Sequence, residues 1–193
     1  MTIDYSKYYW KNSLITLRRP KEDDWQALVH HMFDSQGRFF FNVEIDLPTD
    51  LEQYRNRFIA NLEPGKLSYT CFAIENNEGK HVGIANLFGV DERHGSFGPV
   101  GILVNPMDRG KGYAAAAYRM LGRYMFNERR MHKWNNGYME ENKASAALHK
   151  KLGFEIEGIQ KDMWFHDGQY WNQVLCGLTE KQFFENEALL PPL

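Results

Sequence analysis

The residues best suited to chemistry lie in NPMDRGKGYAAAAYRML, positions 105–121. Gly110 and Gly112 bracket Lys111, and four alanines follow from Ala114 to Ala117. Glycine is a poor helix former and alanine a very good one. The apolar run GILV at 101–104 reads as a strand ahead of them. A strand, a glycine-rich turn and a helix N-terminus together make an anion site. The first N–H groups of a helix have no internal acceptor, and the helix dipole favours negative charge there. Glycine lets a phosphate approach the backbone, and Arg109 and Lys111 add positive charge.

Three phosphate compounds compete for this site. A Walker A loop needs Gly-Lys followed by Ser or Thr. Here Gly112 and Tyr113 follow Lys111 and the motif's first glycine is missing, so that reading is rejected. GKGYAA satisfies a dinucleotide fingerprint literally, but that motif belongs directly after a strand in a parallel βαβ unit. NPMD intervenes here, and hairpin signals surround it. A nicotinamide-dependent oxidoreductase is therefore the weaker enzyme reading. The third compound is coenzyme A. Arg109-Gly110-Lys111-Gly112-Tyr113-Ala114, after a hydrophobic strand ending Val-x-Pro, resembles the acyl-CoA motif of the GNAT superfamily of N-acetyltransferases. ENKASAALHKKLGFEIEG resembles the family's second signature, an Asn, a short helix, then Gly-Phe. The two together are more specific than either alone. LRRPKEDDWQAL and DGQYWNQVLCGLTEKQF are similar to the ribosomal-protein and spermidine acetyltransferase branches.

The resemblance implies an α/β (α+β) fold: a mixed, mostly antiparallel central sheet with splayed strands, flanked by helices on both faces. It implies acetyl-CoA as co-substrate and a primary amine as acceptor, either a small cationic amine or a protein N-terminus. The amides of Gly110, Lys111, Gly112, Tyr113, Ala114 and Ala115, beside Arg109, are expected to hold the pyrophosphate. Leu103 and Val104 are expected to face the thioester carbonyl, with Ile102 on the same cofactor-facing edge. Asn142 takes the family position that bonds the pantetheine arm. The rival outside enzymes is an acyl-CoA-binding sensor without catalysis.

Acetyl transfer needs a neutral amine, a stabilised tetrahedral intermediate and a proton for the leaving thiolate. Many family members place Tyr seven residues after the Asn; here that residue is His149, the candidate acid. Glu140 and Glu141 flank Asn142, and Glu140 is the better candidate for the base, with Glu44 and Asp46 as rivals. FFFNVEIDLP carries Phe40, Glu44 and Asp46, a mix of rings and acids suited to a cationic amine. Tyr138, with Trp164 and Tyr170, is expected on the opposite wall. His30 and His31 are adjacent, but neighbours on a helix point about 100° apart. No third ligand is spaced with them, so no metal is assigned.

These groups need a scaffold, and 193 residues suit one domain over 1–193. Hydrophobic residues at 43% and charged residues at 25% are those of a soluble globular chain. A net charge of −2 gives no basic field for nucleic acid. No apolar run approaches the roughly 20 residues of a membrane helix. MTIDYSKYYWKN lacks the apolar centre of a signal peptide. Cys71 and Cys176 sit in apolar, strand-like surroundings and are expected as buried free thiols in a reducing cytoplasm. Monomer and homodimer are both compatible.

The pattern predicts a strand near 13–18, a helix over RPKEDDWQALVHHMFDS, a loop over SQGRFFFNVEIDLP and a helix over TDLEQYRNRFIANLE. Strands LSYTCFAIE and HVGIANLFGVD form a hairpin, and a third strand, SFGPVGILV, carries Gly98, Pro99 and Gly101. Such residues suit a bulged or splayed strand. A helix to about Glu128 follows, with Ala114, Ala117, Tyr118, Leu121 and Met125 inward. HKWNNGYME reads as a short irregular strand. The next helix points Ala144, Ala147, Leu148 and Leu152 inward and ends at Gly153. Two strands about an Asp-Gly turn and a short helix complete the chain.

Overall fold

The computed structural model describes residues 7–62 and 69–193. The first two residues of the expected strand 67–75, and positions 1–6, lie outside them. Strand β1 (Ile15–Arg18) leads into three helices: α1 (Trp25–Leu28), α2 (Ser35–Asn42) and α3 (Leu51–Ala60). Strands β2 (Tyr69–Asn76), β3 (His81–Phe88), β4 (Ser96–Phe97) and β5 (Val100–Val104) follow, then helix α4 (Tyr113–Arg123). Strand β6 (Lys133–Met139), α5 (Lys143–Lys151), β7 (Glu155–His166), β8 (Gln169–Thr179) and α6 (Glu180–Glu187) complete the order.

The strands form two four-stranded sheets, ordered β1-β2-β3-β5 and β4-β6-β8-β7. All pairs are antiparallel except β4 with β6. The predicted third strand thus belongs to both sheets. Ser96 and Phe97 pair with Lys133 and Trp134 of β6. Two residues on, the chain has crossed to β3, where Val100 pairs with Leu87 and Val104 with Gly83. The crossing is local chemistry. Pro99 has no N–H to donate, and its carbonyl accepts from Phe88 N at 3.0 Å. A Cβ on Gly98, at φ 111°, would collide with the Asn135 carbonyl.

Helices cover both faces of β5, because successive strand side chains point to opposite sides. Val100, Ile102 and Val104 pack into the core with Tyr113, Ala116 and Ala117 of α4. A Cβ on Gly101, on the other face, would meet the Phe41 ring of α2 at 3.2 Å. Tyr118 stacks on fully buried Trp134, with centroids 5.2 Å apart, and so joins α4 to the second sheet. Asp167 and Gly168 turn the β7–β8 hairpin with φ 48° and 76°, the signs a two-residue type I′ turn requires.

Several expectations change. The helix expected from residue 20 is broken: only Trp25–Leu28 is α-helical, between 3₁₀ turns Glu22–Asp24 and Val29–Phe33. The expected aromatic loop instead begins with α2, whose N-cap Asp34 accepts from Gly37 N at 2.9 Å. The consecutive rings of Phe39, Phe40 and Phe41 hide a helical period, and only Phe39 is buried. β6 is a regular seven-residue strand. Ala144 and Ala147 of α5 are exposed; the inward side chains are Ser145, Leu148, His149 and Leu152. On α4, Ala116 is buried and Ala114 only half-buried. Both cysteines are free, Cys176 buried and Cys71 half-buried.

Candidate active site

The anion loop has the form its residues require. Gly110 and Gly112 adopt φ 79° and 86°, a region costly for residues with a Cβ. Gly112 is the N-cap of α4 and has no side chain to bond the first-turn amides. The only early intrahelical bond recorded from the cap is Ala116 N to Gly112 O, 3.0 Å. The amides of Tyr113, Ala114 and Ala115 therefore have no acceptor within the helix. The flanking charges are already paired. Buried Asp108 accepts from Lys80 Nζ at 2.7 Å and Lys111 Nζ at 2.8 Å. These two cations hold its carboxyl below the usual range. Arg109 donates to Asp34 Oδ2 at 2.6 Å and to the Val104 carbonyl at 3.1 Å. The pull on an anion thus rests mainly on backbone N–H groups, with one net positive charge from Lys80 and Lys111 against Asp108.

Beyond the loop, β5 presents an edge with no strand beside it among the described residues. Asn105 N–H donates to Val82 O (2.8 Å) and Phe88 N–H donates to Pro99 O (3.0 Å) at the two ends of its ladder with β3. Peptide groups alternate sides along a strand. Gly101 and Leu103 therefore turn their N–H and C=O groups toward β3, and Val100, Ile102 and Val104 turn theirs away. The carbonyls agree: Val100 O accepts from Tyr118 Oη at 2.7 Å and Asn136 Nδ2 at 3.3 Å, and Val104 O accepts from Arg109. The expectation for Leu103 is corrected on this ground. Its amide is committed to the β3 ladder, and the amides free to meet a ligand are those of Ile102 and Val104. Tyr118 and Asn136, themselves 3.0 Å apart, satisfy the Val100 carbonyl, which the separation of β5 from β6 would otherwise leave unpaired. The sequence reading missed Asn136 as a functional residue. Its only signal was an Asn at the alternate strand position between Trp134 and Tyr138.

The opposite wall is β6 and the start of α5. Asn142 caps α5, its Oδ1 accepting from Ser145 N at 3.0 Å, which leaves its side-chain N–H₂ for a ligand. His149 is 2% exposed. Its Nδ1 lies 2.8 Å from the Ser145 carbonyl, an acceptor only, so Nδ1 carries the proton. In the neutral ring Nε2 is then an acceptor, and it has no partner among the described residues. Burial, partly offset by the Ser145 bond, lowers the pKa of the ring. In this arrangement His149 holds no proton ready for sulfur. Tyr138 stacks on it, with centroids 5.1 Å apart and planes at 30°. Glu140 is half-buried and accepts from Asn172 Nδ2 at 2.8 Å.

The predicted acceptor residues are not gathered into one cluster. Phe40 is half-buried, 6.3 Å from the Trp171 ring of β8. Asp46 is paired with Arg38 and, at 3.8 Å, with Arg57. Glu44 is exposed. His31 is fully buried, with Nε2 3.0 Å from Asn105 Oδ1. A cavity of about 540 Å³ borders the anion loop, lined among others by Ala27, His30, Asp34, Lys80, His81 and Met107. Its lining includes no residue of β5 or β6, so it is distinct from the cleft between them. Among the described residues no helix is long and apolar enough to cross a membrane.

Comparison with known proteins identifies the family of the chain. Residues 15–155 match the family described as "Acetyltransferase (GNAT) domain". The SPbeta prophage-derived N-acetyltransferase YokL of Bacillus subtilis is 29% identical over 182 residues, spanning 93% of this chain and 98% of that protein. The [Ribosomal protein uS5]-alanine N-acetyltransferase of Escherichia coli is 36% identical over 105 residues, 53% of each chain. The crystal structure of a spermidine N-acetyltransferase from Vibrio cholerae, in complex with CoA and spermine, superposes with a TM-score of 0.73. That match covers 90% of this chain and 99% of the other at 22% identity.

Proposed function

This chain belongs to the acetyltransferase (GNAT) domain family, and from that premise we propose that it transfers the acetyl group of acetyl-CoA to a primary amine by direct attack. The observation that carries the reading is the pairing of two features in one cleft. The unpaired amides at the N-terminus of α4 suit a pyrophosphate, and the unpaired edge of β5 suits an extended pantetheine arm added as a strand. Arg109 bonds the Val104 carbonyl and sits in the loop, so it ties the two features together. Asn142 offers its N–H₂ to the arm from the other wall.

The chemistry follows from placement. The thioester carbonyl meets the amide of Ile102 or Val104, which stabilises the oxyanion as the amine nitrogen attacks. Glu140, at the mouth of β6, takes the proton that the amine sheds. The acceptor is a small cationic amine or a polypeptide N-terminus; of the relatives, one is named for an alanine of ribosomal protein uS5 and another for spermidine. Asp46 contributes little to a cation, since two arginines already neutralise it.

Thermal-shift measurement tests the donor: acetyl-CoA raises the melting temperature and NAD(P) does not. Thiol release with polyamines, amino acids, aminoglycosides and N-terminal peptides then identifies the acceptor. Binding of acetyl-CoA without thiol release from any of them would refute the transferase and leave a sensor. Glu140→Gln should lower turnover about 100-fold with little change in donor affinity.

A further inference from the structure

We propose that Tyr138, on β6, delivers the proton to the departing thiolate of CoA, with His149 as the residue that positions its ring. The proposal rests on the transferase reading above and assigns the acid that His149 does not supply.

The order of residues along β5 and β6 puts Tyr138 beside the cleft. β4 and β6 run parallel, with Ser96 opposite Lys133 and Phe97 opposite Trp134. After the strands separate, the Val100 carbonyl still meets the Asn136 side chain at 3.3 Å. Strand side chains alternate faces, so Tyr138, two residues beyond Asn136, lies on the same face of β6. Ile102, two residues beyond Val100, turns its amide to the same side of β5 as the Val100 carbonyl. Glu140 follows just past the end of β6, so the proposed acid and base lie along the wall that faces those amides.

The surroundings of Tyr138 suit a donor. Its ring lies on the imidazole of His149, which Tyr118 and Phe154 hold edge-on at 5.6 and 4.9 Å. The Nδ1–H bond to Ser145 O fixes the rotation of that imidazole. His149 is thus a flat support on α5, at the helix position where many family members carry the tyrosine itself. The Tyr138 hydroxyl makes no hydrogen bond to any described residue, and the side chain is half-buried. The titratable groups nearest it are Glu140 on its own strand, Cys176 on β8 and His149 on α5. Burial first, then Cys176 and Glu140, raise its pKa, so the phenol is protonated at neutral pH.

The step balances. The amine nitrogen forms a bond to the acetyl carbon and loses a proton to Glu140 or water. The C–S bond breaks and its electron pair stays on sulfur. The Tyr138 O–H bond breaks, sulfur takes the proton, and water reprotonates the phenolate between turnovers.

Tyr138→Phe in the full chain tests this. Acetyl-CoA affinity should stay within about twofold, while turnover falls about 100-fold and the alkaline limb of its pH profile disappears. His149→Phe, which keeps a flat ring under Tyr138, should lose less turnover than His149→Ala, and both should retain that limb. A second readout needs no acceptor: thiolate absorbance of bound CoA should show its thiol pKa about 1 unit higher in Tyr138→Phe than in wild type. An unchanged bound-thiol pKa, or wild-type turnover and pH profile in Tyr138→Phe, would overturn the assignment. If the wild type binds acetyl-CoA but acetylates nothing, the transferase reading fails while the thiol titration still decides Tyr138.

Discussion

Replacing Gly110 with alanine separates what the loop glycine does for the fold from what it does for a ligand. Gly110 has φ 79°, and a Cβ built on it meets no protein atom within 4 Å. The protein-side cost is therefore the left-handed backbone alone, about 1–2 kcal/mol. For a chain of this size that lowers the melting temperature by about 2–8 °C. Gly168, at the tip of the β7–β8 hairpin, is a matched control: φ 76° and again nothing within 4 Å. Gly168→Ala should cost the same stability. The two variants diverge only if a ligand fills the space beside Gly110. Losing one charge-assisted bond to a pyrophosphate costs about 1.5–3 kcal/mol, or roughly 10- to 150-fold in affinity. Calorimetric titration with acetyl-CoA should show that loss in Gly110→Ala and wild-type affinity in Gly168→Ala. Equal affinities in the two variants would refute the anion loop, whatever their melting temperatures.

Two further outcomes follow from buried polar groups. Burial is the main cause that lowers the His31 pKa from 6.5 to about 4, against the bond to Asn105. The unfolded chain therefore takes up this proton first. The contribution of His31 to stability is complete above about pH 6.5 and is lost as pH falls toward 4, by about 3 kcal/mol in all. Urea midpoints at pH 7 and pH 4.5 should differ less in His31→Gln than in wild type; an equal difference would refute the account. Tyr118→Phe removes the 2.7 Å bond to the Val100 carbonyl at the point where the strands part. It should cost about 1–2 kcal/mol in denaturant unfolding and weaken acetyl-CoA binding as well; unchanged affinity would mean that this bond does not shape the cleft.

Local signals carried much of the fold. The Asp-Gly turn, the Gly153 helix end and the awkward Gly98-Pro99-Val100-Gly101 run each state a backbone requirement that neighbouring residues alone can meet. The hairpin, the α5 terminus and the splayed strand all lie where those residues placed them. The α2 helix was hidden because three consecutive phenylalanines have no period, and its Asp34 cap lay inside what read as a longer first helix. Within the site, the glycine loop and Asn142 were legible as a spacing pattern. The status of His149 was not, because position in a motif does not say which ring nitrogen meets a carbonyl.

By itself the sequence determined the reading of the donor side: a strand, two glycines and a helix start point to a phosphate, and a second signature turns that reading toward coenzyme A. Those features are set by φ angles and unpaired amides within a few residues of one another. The tertiary structure alone decided which charges are spent. Asp108 takes Lys80 and Lys111, Asp34 takes Arg109, and Arg38 and Arg57 take Asp46. It also committed the Leu103 amide to the β3 ladder, turned the His149 Nδ1–H onto the Ser145 carbonyl and laid the Tyr138 ring on that imidazole. Each of these depends on a partner distant in the chain or on which side of a strand a peptide faces. A hydrogen bond or ion pair acts over a few ångströms in space, and only packing sets those distances.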